Sequence, residues 1–196
     1  HRGGRPPPVL YRGDCSWNLT ILEVEKGHSQ TMNRTDFAAC DFGAESGRVI
    51  LGSLENGKIG LEELHRFENP QVKAIGRYHW DLLHLFRELK NGLSRAAALG
   101  HRNLRGIGVD TWGVDFGLLD RDGQLLDNPV CYRDPRTEGT MEEVFARIPR
   151  ERVYGITGIQ FIQFNTLFQL YSLKGSSQLE SARLMLHMPD LFNYMM

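Results

Sequence analysis

FAACDFGAESGRV, residues 37–49, decides the fold: a short apolar run leads into an aspartate and then into a turn rich in small and polar residues. The alternation predicts a buried strand at 37–41 and a second strand at 47–54 that returns beside it. A turn of this kind lets backbone N–H groups approach a ligand closely and adds a hydroxyl and a cation, which suits phosphate oxygens. Asp41, at the end of the first strand, is placed to hold a hydrated Mg²⁺ ion between nucleotide phosphates.

Taken alone, this stretch favours a plain glycine-containing β-turn, because Asp-x-Gly is common in hairpins. It is not a Walker A loop, because no Gly-Lys-Ser/Thr follows, and it is not a dinucleotide-binding fingerprint, because no helix opens after it. The rest of the chain therefore has to decide between a structural and a phosphate-binding turn.

The next hundred residues continue the pattern of strands and add one helix. The Asn-Gly pair within 55–57 predicts a tight hairpin into a third strand at 58–67. Apolar residues at three- and four-residue spacing after Asp81, a good N-cap, predict an amphipathic helix at 82–99. The apolar run at 104–110 is typical of a buried parallel strand. The expected order is β-β-β-α-β.

The second half of the chain predicts shorter elements. They are a strand in GVDFGLLD (113–120) that turns back as a hairpin at Asp122-Gly123, helices at 138–147 and 165–174, a strand at 183–188 and the start of a further helix.

Composition limits the classes of partner. The 196 residues are 41% hydrophobic and 24% charged with a net charge of −1, so we expect no nucleic-acid or membrane partner. No signal peptide or membrane-length apolar run is present, which predicts a cytoplasmic protein. The three cysteines lack zinc-ligand spacing and are expected to be reduced thiols, with Cys40 buried in a strand.

The two ends of the sequence differ from its middle. Residues 1–36 predict a disordered or non-native leader before the first strand, and Met32 is a plausible natural start. The alternative is a tail or a small hairpin at 17–27. The chain stops within an apolar, helix-like segment, which predicts that residues 37–196 are a truncated domain.

Four further blocks carry a resemblance to a known family. GVDTWGVDFGLLD (108–120), NPVCYRDPRT (128–137), TGIQFIQFNTLFQLYSL (157–173) and LMLHMPDLFNY (184–194) follow the opening turn in order, and together they resemble the FGGY carbohydrate kinases. The resemblance implies an α/β fold of the ribonuclease-H-like, actin-like ATPase class, with a mixed sheet in the order β-β-β-α-β, here incomplete. It implies that residues 37–196 are the N-terminal part of the first kinase domain.

The resemblance assigns the opening turn to ATP. It implies that Asp41 lies near Mg²⁺, through water, and that the nucleotide is contacted by Ala44, Glu45, Ser46, Gly47 and Arg48. Glu45 departs from the family pattern, which often has Ser there, so its side chain is expected to point outward.

The sugar pocket is expected at two later blocks. Gly113 is expected to lie against the sugar, where the missing Cβ lets backbone approach it, or else to be a simple bend. Asp110 and Asp115 are either acceptors for sugar hydroxyls or turn caps. The implied pocket segment is Tyr132, Arg133, Asp134 and Arg136, of which half are expected to form only an ion-paired loop. Gln160 and Asn165 are further candidates for hydroxyl contacts, and Phe161, Phe164 and Phe168 are expected to be core.

For a complete enzyme, the resemblance implies transfer of the ATP γ-phosphate to the 1-hydroxyl of L-rhamnulose. The catalytic aspartate and the adenine-binding lobe are expected beyond residue 196, so this chain alone is expected to be inactive. The alternatives are a kinase for another substrate such as xylulose or glycerol, a non-enzymatic actin-like nucleotide-binding module, and an α/β scaffold without a ligand.

Overall fold

The structure, a computed structural model, describes residues 34–196 as a mixed α/β fold. In chain order its elements are β1 (Thr35–Phe42), β2 (Ser46–Glu55), β3 (Lys58–Glu68), β4 (Gln71–Ala74), β5 (Arg77–Trp80), α1 (Leu82–Ala98), β6 (Gly106–Asp110), β7 (Phe116–Leu119), a 3₁₀ turn (Pro135–Thr137), α2 (Thr140–Phe145), α3 (Arg150–Thr157), α4 (Thr166–Ser172), α5 (Ser177–Ser181), β8 (Leu184–His187) and α6 (Met188–Met195). The predicted leader up to residue 33, with Met32 and the alternative hairpin at 17–27, lies outside the described residues.

The main sheet confirms the predicted arrangement of strands. Its strand order is β3-β2-β1-β6. β2 is antiparallel to both β1 and β3, and β6 is parallel to β1. β1 begins earlier than predicted and takes in Thr35 and Asp36, because these residues still pair with Leu54 and Ser53 on β2. The parallel pairing brings the carboxyl ends of β1 and β6 to the same edge of the sheet.

Helix α1 covers one face of this sheet, as its sequence pattern predicts. The Asp81 side chain accepts a hydrogen bond from the backbone N–H of His84 at 3.0 Å and so caps the helix. Leu82, Leu85 and Leu89 are fully buried against β2 and β3. On the same face Phe42 stacks on Phe192 of α6, with ring centroids 4.4 Å apart.

The sequence missed several short elements. The hairpin of β4 and β5 lies between β3 and α1, and the helices α3 and α5 lie on either side of α4. The chain after β7 turns back at Asp122-Gly123 as predicted, with the N–H of Asp120 donating to Gln124 and that of Leu126 donating to Leu118, both at 2.9 Å. The returning chain forms only an isolated bridge to Leu119, and the ladder partner of β7 is β8. The Asp120 carboxylate holds the turn by accepting the N–H groups of Asp122 and Gln124.

Two helical glycines give opposite predictions for stability. A Cβ on Gly92 of α1 would lie 2.4 Å from Cγ2 of the buried Val49, whereas a Cβ on Gly155 of α3 meets nothing within 4 Å. Overpacking costs about 1–3 kcal/mol, which exceeds the gain of about 1 kcal/mol in helix propensity. Gly92→Ala is therefore expected to lower the free energy of unfolding by about 1–2 kcal/mol, and Gly155→Ala to raise it by about 0.5–1 kcal/mol, in denaturant titrations. Stabilisation by both changes would contradict this packing.

A cluster at the amino end of β1 predicts a loss of stability in acid. Asp36 accepts hydrogen bonds from Ser53 Oγ at 2.7 Å and Arg34 Nε at 2.9 Å, and His101 Nδ1 lies 2.7 Å away, which holds the pKa of Asp36 well below its ordinary range. A lowered folded-state pKa gives stability that is present above the unfolded pKa of about 4 and is lost as the pH falls through the folded value. Asp36→Asn is expected to be less stable than the unsubstituted chain at pH 7, with a difference that shrinks below about pH 4. A difference that is independent of pH in thermal melts would contradict this.

Within the described residues, no helix has both the length and the apolar character needed to cross a membrane.

Candidate functional site

The turn between β1 and β2 is closed by its own backbone. The N–H of Gly43 donates to the carbonyl of Ser46 at 2.9 Å, and a Cβ on Gly43 would lie 2.8 Å from that same oxygen. Gly47 is buried on the ring of Phe67, which a Cβ would approach to 2.3 Å. Both glycines are therefore required by the tightness of the turn and by its packing onto the sheet.

Asn69, which no sequence motif marks, donates hydrogen bonds to two carbonyls of this turn. Its backbone N–H donates to the carbonyl of Glu45 at 2.9 Å and its Nδ2 donates to the carbonyl of Gly43 at 2.9 Å. Within the described residues, the N–H groups of Ala44 and Glu45 have no acceptor. The sequence offered only one signal for Asn69, an asparagine directly before Pro70 at the end of a strand.

Two carboxylates and an arginine lie beside the turn at the carboxyl ends of β1 and β6. Asp41 pairs with Asp110 across the parallel strands and with Arg48 across the hairpin. Arg48 Nε lies 2.8 Å from Asp41 Oδ2, and the two side chains are 43% and 38% exposed. An ion pair this exposed is worth little, so Arg48 is free to exchange Asp41 for another anion. Carboxyl ends of strands are also where ligands gather in open α/β sheets.

Gly113 lies at an exposed, strained turn. Gly113 and Val114 both have positive φ, 77° and 56°, and the N–H of Asp115 donates to the carbonyl of Gly113 at 2.7 Å. A β-branched residue in this region is a backbone outlier. The hydroxyl of Thr166 donates to the Val114 carbonyl at 2.7 Å and helps to hold the turn. The absence of a Cβ leaves the backbone at Gly113 open to a ligand.

Asp115 is not available to a sugar, because it is fully buried and already saturated. Its carboxylate accepts hydrogen bonds from Trp80 Nε1 at 2.6 Å, Trp112 Nε1 at 3.0 Å, Gln169 Nε2 at 2.8 Å and the N–H of Tyr132 at 3.1 Å. Burial raises its pKa, and these four donors favour the ionised form and oppose that shift. Asp115 therefore joins the Gly113 turn to the Tyr132 segment.

The segment 132–136 divides into an outer and an inner half. Asp134 is buried and accepts from the N–H of Tyr78 at 2.8 Å and from Arg77 Nη1 at 3.1 Å, while Arg136 donates to Gln169 Oε1 at 2.6 Å. Burial lowers the pKa of Arg136. Asp134 is thus ion-paired with Arg77, which lies outside the segment, and Arg136 is held by the neutral amide of Gln169.

The outer half faces the turn. Arg133 lies over the Tyr132 ring, 5.5 Å from its centroid, and its Nη2 is 3.7 Å from Glu45 Oε1. The Glu45 side chain is 85% exposed, which agrees with the expectation that it points outward. The segment predicted for the sugar is therefore next to the turn predicted for phosphate.

The remaining sequence candidates are placed differently. Gln160 is exposed and Asn165 Nδ2 donates to its carbonyl at 2.7 Å, so the two residues bond to each other. Phe168 is core, as expected, and Phe164 contacts the Tyr132 ring at 5.0 Å between centroids.

The groups around the turn fit a nucleotide phosphate with a hydrated divalent ion. The unpartnered amides of Ala44 and Glu45 suit phosphate oxygens, and Asp41, next to Asp110 in strand register, gives a hydrated ion one carboxylate. Among residues 34–196 no three His, Cys, Asp or Glu side chains cluster as a metal cage. A cage is not required, because Mg²⁺ keeps several of its waters.

Comparison with known sequences gives one family. Residues 37–196 match the family described as the FGGY family of carbohydrate kinases, N-terminal domain. The chain is 48% identical over 165 residues to a rhamnulokinase of Bacteroides thetaiotaomicron, covering 83% of this chain and 34% of that protein. It is 46% identical over 160 residues to a rhamnulokinase of Oceanobacillus iheyensis, covering 81% and 34%. The chain thus spans about a third of the length of these curated relatives.

Solved structures confirm the predicted fold. A xylulose kinase from Rhodospirillum rubrum superposes with a TM-score of 0.68 at 17% identity, over 82% of this chain and 34% of that one. A gluconate kinase from Lactobacillus acidophilus gives 0.66 at 16% identity, over 78% and 31%. At such identities the likeness establishes the actin-like ATPase fold alone.

Proposed function

Since this chain belongs to the FGGY family of carbohydrate kinases, we propose that it is the phosphate- and sugar-binding part of an ATP-dependent kinase for the 1-hydroxyl of L-rhamnulose. The rhamnulokinase relatives, at 48% and 46% identity, support this ketose. The observation that carries the proposal is the turn at 43–48, with free amides, next to the Arg133 segment, which Asp115 joins to the Gly113 turn.

On the phosphate side, main-chain groups make the first contacts. The N–H groups of Ala44 and Glu45 and the hydroxyl of Ser46 donate to phosphate oxygens. Gly47, which has no Cβ, lets the backbone pack directly on the ring of Phe67. Arg48 leaves Asp41 and neutralises phosphate charge.

Asp41 is the residue that would hold Mg²⁺, through water. The ion, when bound, supplies positive charge on the phosphates as the γ-phosphoryl group is transferred. Asp41 is suited to this role because its carboxylate stands at the strand end with 38% of its side chain exposed.

On the sugar side, the exposed backbone of Gly113 lies against the ketose. Tyr132 and Arg133 form one wall, held in place because Asp115 accepts the N–H of Tyr132. Asp110, whose carboxylate is exposed at the end of β6, accepts a sugar hydroxyl.

The carboxylate that takes the proton of the attacking hydroxyl is not among these residues. Because the chain spans 34% of its relatives' length, we place that aspartate and the adenine-binding lobe outside the 196 residues. We accordingly propose that 37–196 is the first part of the first kinase domain, that the 196-residue chain alone does not turn over substrate, and that the kinase works in the cytoplasm.

A coupled assay of ADP release by the full-length kinase tests the proposal. L-rhamnulose is expected to give kcat/KM at least about tenfold above xylulose or glycerol, because an unmatched hydroxyl leaves buried polar groups unpaired. A higher kcat/KM for xylulose or glycerol would make it a different sugar kinase. ATP binding without any effect of a sugar would make it a nucleotide-binding module.

A further inference from the structure

We propose that Asn69 is a positioning residue for ATP, which aims the amides of the turn at the phosphates by holding the turn's carbonyls on the opposite side. The proposal rests on the function proposed above and assigns a role to a residue that does not itself touch the nucleotide.

Asn69 binds two carbonyls of the turn at once. The backbone N–H of Asn69 donates to Glu45 and its Nδ2 donates to Gly43, both at 2.9 Å. Asn69 is 2% exposed, and its position is fixed by its place at the end of β3 and by Pro70, which keeps the preceding backbone extended.

The geometry of the peptide unit relates these carbonyls to the neighbouring N–H groups. In a trans peptide the C=O of one residue and the N–H of the next point in opposite directions across a plane. With the carbonyls of Gly43 and Glu45 bound to Asn69, the N–H groups of the same two peptide units, which belong to Ala44 and Ser46, point away from Asn69. Of the two amides assigned to the phosphates, Ala44 and Glu45, Asn69 therefore orients that of Ala44 directly, through the carbonyl of Gly43.

The Asn69 side chain has an energetic cost for folding. The Oδ1 atom of Asn69 is buried without a hydrogen-bond partner within the described residues. An unsatisfied buried acceptor costs about 1–3 kcal/mol, so a purely structural role would favour a residue without that oxygen. The amide side chain is explained if its Nδ2 is needed to orient the Gly43 carbonyl.

The test compares Asn69→Ala with Asp36→Asn in the full-length kinase. Asp36 is a polar residue at the opposite end of β1, held by Arg34 and Ser53, so its substitution disturbs the same sheet far from the turn. Asn69→Ala is expected to raise the KM for ATP on the order of tenfold, which corresponds to loss of about one hydrogen bond, with an unchanged KM for L-rhamnulose. Asp36→Asn is expected to leave both constants unchanged.

A second variant keeps the volume of the side chain. Asn69→Asp places an acceptor against the Gly43 carbonyl in place of the donor, and it is expected to raise the KM for ATP more than Asn69→Ala does. An unchanged KM for ATP in both variants, or equal increases in the KM values for ATP and sugar, would overturn the proposal.

Hydrogen exchange separates this inference from the proposed function. The N–H of Gly43, which closes the turn onto Ser46, is expected to exchange faster in Asn69→Ala than in the unsubstituted protein or in Asp36→Asn, without any nucleotide. If the unsubstituted kinase phosphorylates no sugar, the proposed function fails. Unchanged Gly43 exchange in Asn69→Ala would overturn the role of Asn69 in fixing the turn, whatever the result of the sugar assay.

Discussion

Asp41→Asn is expected to lower kcat of the full-length kinase by on the order of 10²–10³, because it removes a fixed charge that positions the phosphates. Asp41 lies beside Asp110 at the end of the parallel strands and pairs with Arg48 at 2.8 Å. The neutral amide would weaken the hold on hydrated Mg²⁺ and leave Arg48 without its resting partner. The activity of the variant is also expected to need more Mg²⁺, and a titration of kcat against Mg²⁺ concentration measures both effects.

Asp122→Asn is the matched control. Asp122 is also exposed and lies beside an arginine, with 3.5 Å between its Oδ2 and Arg121 Nε, but it belongs to the turn that follows β7. Its substitution is expected to leave kcat and the Mg²⁺ dependence unchanged. If Asp41→Asn kept kcat within about twofold of the unsubstituted enzyme, Asp41 would have no part in holding the ion.

Asp115→Asn is expected to lower the free energy of unfolding by about 3 kcal/mol, since the change removes a buried acceptor from charged hydrogen bonds. One oxygen accepts from Trp80, Trp112 and Tyr132 and the other from Gln169. The new NH₂ group would face one of these donors and could not bond to it. For a domain of this size the melting temperature is expected to fall by roughly 6–12 °C in a thermal scan.

Asp110→Asn is the stability control, because Asp110 is exposed at the adjacent strand end and is expected to melt within about 2 °C of the unsubstituted protein. Indole emission gives a second reading. Trp80 and Trp112 both donate to Asp115, so Asp115→Asn is expected to shift tryptophan fluorescence, whereas Asp134→Asn, also buried, is not. Equal melting temperatures for Asp115→Asn and Asp110→Asn would contradict the role of Asp115.

The parts of the fold that the sequence predicted are those determined by local patterns. β1, β2 and α1 follow from alternation, from the Asn-Gly turn and from the cap at Asp81, each of which acts within a few residues. The hairpin of β4 and β5 was missed because its strands have four residues each and its turn places Ile75 at a positive φ of 49°, where sequence rules expect Asn or Gly.

The candidate site was predictable where a family motif marks a residue and not where distant packing decides. The turn at 43–48 and the Tyr132 segment became candidates through their motifs, and the structure brings them next to each other. The burial of Asp115 depends on Gln169, 54 residues away, and the grip of Asn69 on Gly43 spans 26 residues, so no local pattern reports either one. Long-range contacts also decide the segment 132–136: Asp134 and Arg136 bond to Tyr78 and Gln169 in the interior, whereas Arg133 lies on the outside near Glu45.

The most direct test of the central claim is a crystal structure of the full-length protein with Mg²⁺ and a non-hydrolysable ATP analogue. The account predicts phosphate oxygens within about 3.2 Å of the N–H groups of Ala44 and Glu45, with Arg48 turned from Asp41 to the phosphates. A triphosphate bound elsewhere, with the turn at 43–48 facing only solvent, would contradict it.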